Sequence, residues 1–281
     1  MKKSYLQARR RQESGIAYKH DLGQHFLYDE NLLTSLVEAT GVGPDDGVLE
    51  IGPGAGTLTR CLCRTAGKVT AVEVDHDVLP FLRINTEAFD NLTIVEGDIR
   101  KLNLTELCAP LGKNFYVIAN IPYNITTPIL EALWDSGLPI RQISVMIQKE
   151  VADKLMAGPS TAAYSLTSVR CQYVSQPSLV AVVPAERFTP PPKVDSAFVR
   201  MDMRTQPPVP VTDEKLLFRM VKAGFSLRRK TLTNALKGTV DAAVLRGALE
   251  DCGLPPAVRG EALSVVQWIQ LSNACAAATQ G

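Results

Sequence analysis

The chain has 281 residues, 46% of them hydrophobic and 21% charged, with a formal net charge of +1. That length suits one large domain or a domain with a smaller companion, and the composition is that of an ordinary globular protein. No apolar run approaches the roughly eighteen residues of a membrane helix, and so small a net charge does not by itself announce a nucleic-acid partner.

The first twenty residues carry Lys2, Lys3, Arg9, Arg10, Arg11 and Lys19 against the single acid Glu13. They lack an apolar core segment, so they do not read as a secretory signal. A transit peptide is the weaker alternative, because only Ser4 and Ser14 supply hydroxyls there. This basic extension, 1–20, is distinct in composition from the rest of the chain. Asp29 then reads as a helix cap before Leu32, Leu33, Leu36 and Val37, which recur at helical spacing. Short apolar runs come next at Val48–Ile51, Val69–Val74, Leu92–Val95, Phe115–Ala119 and Ile143–Ile147, separated by turns and helical stretches. That rhythm predicts a mostly parallel sheet covered on both faces. Two more runs, Leu179–Val183 and Ala197–Met203, leave no room for a helix between them and read as an antiparallel pair closing the sheet. Gln206–Pro210 has the composition of a stiff linker, and beyond it the pattern is helical. The expected fold is therefore α/β, a Rossmann-like domain over 21–205 with a small all-helical domain over 206–281. The six cysteines are scattered without a C-x-x-C pair, and His20, His25 and His76 lack zinc-ligand spacing to any of them. Free thiols in a reducing compartment and no metal site are expected.

The strongest local signal is Val48–Thr57, where a strand runs into Gly52, Gly54 and Gly56 ahead of a helix. Glycines there allow a tight turn and a close approach to a ligand. About twenty residues on, Glu73 ends the next strand, where a carboxylate accepts hydrogen bonds from a ribose. A nicotinamide-binding loop would place its third glycine where Thr57 stands. The loop therefore favours a compact ligand without a pyrophosphate, and S-adenosylmethionine fits. Asp98, after the third run, would reach the adenine amino group, and Glu50 would help hold the amino-acid end. A glycine-rich turn in a generic α/β sheet is the bland alternative.

The fourth strand runs into Asn120, Ile121, Pro122 and Tyr123. An adenine amino group is a poor nucleophile, because its lone pair is delocalised into the ring. The Asn120 side-chain oxygen and a backbone carbonyl at Ile121 or Pro122 would accept hydrogen bonds from it. Pro122 fixes the local backbone, and Tyr123 offers a ring for the base to stack on. Phe188, ahead of Pro190–Pro192, would cover the opposite face of the base; the alternative is a core phenylalanine. Between Lys215 and Lys237 lie seven basic residues and no acid. Lys215, Arg219 and Lys222 fall on one face of a predicted helix, opposite Leu216, Leu217, Met220 and Val221, and Arg228, Arg229 and Lys230 come after them. These six are candidates for phosphate contact, with a merely solvated surface as the alternative.

The segments Leu22–Leu27, Glu50–Gly56, Val72–Asp75, Asn120–Asn124, Gln148–Glu150, Phe188–Ser196, Phe225–Leu232 and Arg259–Ser264 occur together and in this order. Over residues 21 to 275 the chain resembles the ribosomal RNA adenine dimethyltransferases of the KsgA/RsmA type. The resemblance implies a Rossmann-like methyltransferase domain with a helical C-terminal domain. It implies transfer of two methyls from S-adenosylmethionine to each of two adjacent adenosines near the 3′ end of 16S rRNA in the small ribosomal subunit. By position it assigns His25, Leu27, Gly52, Glu73, Asp98 and Asn120 to the cofactor, joined by Gly54 from the loop. Asn120, Tyr123 and Phe188 would line the adenine pocket. A monomer in the cytoplasm, active without metal, is expected. The family usually carries Asn at the place of His25 and Leu at that of Ile121. Two other readings compete: an enzyme that methylates one adenine of 23S rRNA, as in antibiotic resistance, and an RNA-binding assembly factor in which catalysis is secondary.

Overall fold

The computed structural model describes residues 24–280. The basic extension, and Leu22 and Gly23 of the first family segment, lie outside them. The chain divides into two compact units. One runs to Ala152 and resumes over Ser178–Met203; the other comprises Asp153–Pro177 and the chain from Arg204 on.

The first unit is built on a seven-stranded sheet. Its parallel strands are β2 (Gly47–Ile51), β3 (Lys68–Glu73), β4 (Leu92–Glu96), β5 (Phe115–Asn120) and β6 (Ile140–Gln148). The order across the sheet is β4-β3-β2-β5-β6, continued by β9 (Ser196–Met203) and β7 (Ser175–Val183), with β9 antiparallel to β6. Central strands covered on both faces need continuous apolar runs rather than alternation. All of β2 is buried, as are Phe115–Ala119 of β5. From β2 the chain steps outward to β3 and β4, then returns to the other side of β2 for β5. The strand order thus reverses between β2 and β5, and ligands of open α/β sheets bind at the C-terminal ends of strands at such a reversal. Helix α1 (Glu30–Thr40) starts as the sequence predicts: Asp29 accepts the Leu32 N–H at 3.1 Å. Its Leu33, Leu36 and Val37 join the core that includes Val48, Val69 and Ile118.

Two features depart from the sequence reading. Phe26–Leu27 (β1) and Phe188–Thr189 (β8) form a separate two-stranded antiparallel ribbon; two residues are too few to show any periodicity. Residues 153–177 belong to the second unit, not to a continuous 21–205 domain. The reason is packing. Tyr164, and Val169 and Tyr173 of the helix Leu166–Val174, share a buried cluster with Leu217, Met220 and Val221 of the helix Glu214–Ser226 and with Trp268 and Ile269 of the C-terminal helix. Among the described residues no helix is long and apolar enough to cross a membrane. The six cysteines are free, five of them buried and Cys252 half-buried.

Candidate active site

A pocket of about 970 Å³, counted with its open mouth, lies at the C-terminal ends of β2 to β5. His25, Leu27, Gly52, Gly54, Glu73, Asp98 and Asn120 all line it, together with Glu50, Pro122 and Tyr123. The sheet closes these large separations in sequence, since most of these residues sit at or just beyond a strand end.

The glycine loop shows why it must be glycine. Gly54 has φ +55°, and a Cβ placed there would lie 2.5 Å from the Phe26 ring. Its N–H donates to Glu73 Oε2 at 2.9 Å, while the Asp75 N–H donates to Oε1 at 2.9 Å. Burial pushes the Glu73 carboxyl up, and backbone hydrogen bonds from Asp75, Gly54 and Val74 oppose that push. Asp98 is the contrasting acid. Arg100 grips it through Nε (2.9 Å) and Nη2 (2.7 Å), holding its carboxyl below the usual carboxylate range. It therefore stays an acceptor, as recognition of an amino group demands. Glu50 is 1% exposed and its Oε2 has no hydrogen-bond partner. Burial, with a further push from the charge of Glu73, raises its carboxyl to about 8. An orphaned carboxyl oxygen on the wall of a pocket fits a ligand that brings a cationic donor.

Asn120 closes β5. Its Nδ2 donates to the His25 carbonyl at 2.9 Å. A carbonyl can only accept, so this bond fixes the amide orientation and leaves Oδ1 without a partner among the described residues. The Pro122 carbonyl already accepts from the Ile125 N–H and the Thr126 hydroxyl, each at 3.2 Å. That moves the expected backbone acceptor to Ile121. The Tyr123 phenol is hydrogen-bonded to the Ser196 hydroxyl. Its ring stacks on His25, with centroids 5.1 Å apart.

One expected pocket residue is elsewhere. Phe188 is 1% exposed and packs in the core with Leu27, Leu33 and Phe198. Pairing of Leu27 with Phe188 in the β1–β8 ribbon holds it there, and it is not among the residues that line the pocket. Conversely, Val74 and Ile99 line the pocket and escaped the sequence reading. Each directly follows an acid singled out at a strand end, and that adjacency was the available signal.

In the second unit, Lys215, Arg219 and Lys222 are exposed on the helix Glu214–Ser226, and its Leu217, Met220 and Val221 are buried. Arg229 and Lys230 are also exposed. Arg228 is not a free cation. It pairs with Glu261 and donates to the carbonyls of Ala162 (2.8 Å) and Thr161 (2.7 Å).

The family described as ribosomal RNA adenine dimethylase matches residues 16–277. The chain belongs to that family. Membership carries the activity, transfer of methyl groups from S-adenosylmethionine to adenine in ribosomal RNA. The chain is 42% identical over 271 residues to the ribosomal RNA small subunit methyltransferase A of Geobacillus thermodenitrificans, covering 92% of each. It is 40% identical to the protein of that name from Lachnoclostridium phytofermentans, covering 91% of each. Among solved structures it resembles a dimethyladenosine transferase from Plasmodium falciparum, with TM-score 0.75, 25% identity, and 88% of this chain and 96% of that chain covered. It also resembles the 23S rRNA methyltransferase ErmE, with TM-score 0.71, 26% identity, and 89% and 99% covered.

Proposed function

We propose that this family member dimethylates N6 of two adjacent adenosines near the 3′ end of 16S rRNA, acting on the small ribosomal subunit. The observation that carries the reading is the free Asn120 Oδ1, held at a strand end on the wall of the same pocket as Glu73 and Asp98. Choice of the small over the large subunit is supported by relatives at 40–42% identity that are named for the small subunit. The ErmE likeness is at 26% identity.

The cofactor supplies a methyl already activated on a sulfonium. The protein's share is orientation and electrostatics. Glu73 would hold the ribose hydroxyls, Asp98 the cofactor's adenine amino group and Glu50 the amino-acid end. His25, Leu27, Gly52 and Gly54 form walls and floor. The target adenine, extruded from its RNA, stacks on Tyr123. Asn120 Oδ1 and the Ile121 carbonyl accept its two N–H bonds. This draws the nitrogen lone pair out of conjugation and fixes the orientation of the amine, with Pro122 fixing the turn. Lys215, Arg219, Lys222, Arg229 and Lys230 meet phosphates and set affinity and register; Arg228 drops out of that set. The enzyme acts in the cytoplasm as a monomer without metal.

The test is methyl transfer from labelled S-adenosylmethionine to immature small subunits and to large subunits, followed by digestion to nucleosides. Dimethyladenosine arising from the small subunit alone is expected. Label in the large subunit would overturn the substrate assignment. Absence of transfer to either would overturn the reading as a whole.

A further inference from the structure

His25 makes three contacts that no cofactor role requires. Its Nδ1 lies 2.8 Å from the Pro190 carbonyl, which can only accept, so Nδ1 carries the proton. Its ring stacks on Tyr123 at an interplanar angle of 27°. Its own carbonyl receives Asn120 Nδ2. One residue, entering the β1 strand, therefore touches both polar members of the Asn120–Tyr123 turn and the triple-proline loop. Tyr123 is held at its other end by Ser196, where that loop runs into β9.

The geometry points to His25 as a positioning residue for methyl transfer. Its imidazole covers one face of Tyr123 and ties the proline loop to the same frame, so that the target adenine is offered only the opposite face. This rests on the proposed function, in which Asn120 and Tyr123 receive the adenine.

The consequence is greatest for the second methyl. The unmodified amine has two N–H bonds, and a tilted base can still present one of them to Asn120 Oδ1. The monomethylated amine has one left, and it must meet Oδ1 while the lone pair faces the incoming methyl. A Tyr123 ring free to rock tolerates the first transfer better than the second. A misplacement of about 1 Å can cost on the order of 100-fold in rate.

The experiment compares wild type, His25→Ala, His25→Phe and His25→Asn on immature small subunits. It measures kcat, KM for RNA, cofactor Kd and the ratio of monomethyl- to dimethyladenosine. His25→Ala should lower kcat at least about tenfold and accumulate monomethyladenosine even at saturating cofactor. His25→Phe, which restores the stack without the Pro190 bond, should recover part of the rate and of the dimethyl fraction. His25→Asn, with a donor but no ring, should recover less. An unchanged kcat and product ratio in His25→Ala would overturn the proposal. So would a loss that saturating cofactor restores, since His25 would then act only through the cofactor's site. A misfolded alanine variant leaves the order of the Phe and Asn variants to decide, and Asn above Phe would sink the stacking role. Wild-type transfer to the small subunit is the internal control. Its failure would condemn the functional reading rather than the role of His25.

Discussion

Around the pocket, Glu73, Asp98 and Asn120 each have a narrow task and a partner that fixes them. Backbone amides of Gly54 and Asp75 hold Glu73, Arg100 holds Asp98, and the His25 carbonyl orients Asn120. The basic face of the helix Glu214–Ser226 is arranged otherwise, with Lys215, Arg219 and Lys222 exposed above a buried apolar face. The difference reflects the ligand that each region must bind. A small ligand and a reacting nitrogen demand acceptors preset to within fractions of an ångström. Phosphates along an RNA demand only positive charge within reach, and flexible side chains supply it. Damage should therefore be steep and local at the pocket, shallow and additive on the basic face.

The steepest expected loss is at Asn120. Asn120→Ala removes the acceptor at the amine and should lower kcat by about 10²- to 10³-fold, while RNA affinity stays within about twofold. Single-turnover methylation and filter binding check the two halves. Wild-type turnover would end the assigned mechanism. Next comes Gly54→Ala. A side chain at φ +55° costs roughly 1–2 kcal/mol and must also displace the Phe26 ring. Cofactor affinity should fall about tenfold or more, measured by calorimetry, with the RNA affinity of the apo protein unmoved.

Glu50 makes the same contrast titratable. Its carboxyl sits at about 8 in the free protein against an ordinary 4.5, so it is protonated in most molecules near neutral pH. A cationic group beside it favours the carboxylate, so binding should release a proton. Cofactor affinity in wild type, taken relative to Glu50→Gln, should rise with pH up to about 8, by at most about tenfold per unit. Folding has the opposite sign. The folded protein holds a proton that the unfolded chain has lost, so this group's contribution to stability falls as pH rises from 4.5 to about 8. Calorimetry in buffers of different ionisation enthalpy reads the proton directly, and equal pH profiles for the two proteins would refute the linkage.

The parallel strands and the strand-end acids could be read from sequence because their signals are local. Val48–Ile51 is apolar but for Glu50, and Glu73 and Asp98 stand at or just after the ends of their runs. Asp29 announced its cap for the same reason. The features hidden from sequence depend on partners distant in the chain. The β1–β8 ribbon pairs residues about 160 positions apart, with Phe26 opposite Thr189, and it is this pairing that draws Phe188 into the core. The reach of Tyr164 and Tyr173 into the helical cluster has no periodic signature either. Nor does composition distinguish a carbonyl already in use, as at Pro122, from one still available.

Arg228 and Arg229 carry that point to its smallest effect. They are neighbours of identical chemistry, and sequence gives no ground for separating them. In the structure Arg228 is spent on Glu261, Thr161 and Ala162, whereas Arg229 is exposed. Arg228→Ala should cost about 1–2 kcal/mol of stability, a figure that allows for solvent screening of a partly exposed pair. It should leave the salt dependence of RNA binding nearly intact. Arg229→Ala should shift stability by less than about 0.5 kcal/mol and reduce the slope of log K against log salt by about 1. Thermal melts and binding at several salt concentrations give both numbers for both variants. Were the two effects exchanged, Arg228 would have to leave Glu261 to meet the RNA, and the ion pair would be a resting contact broken on binding.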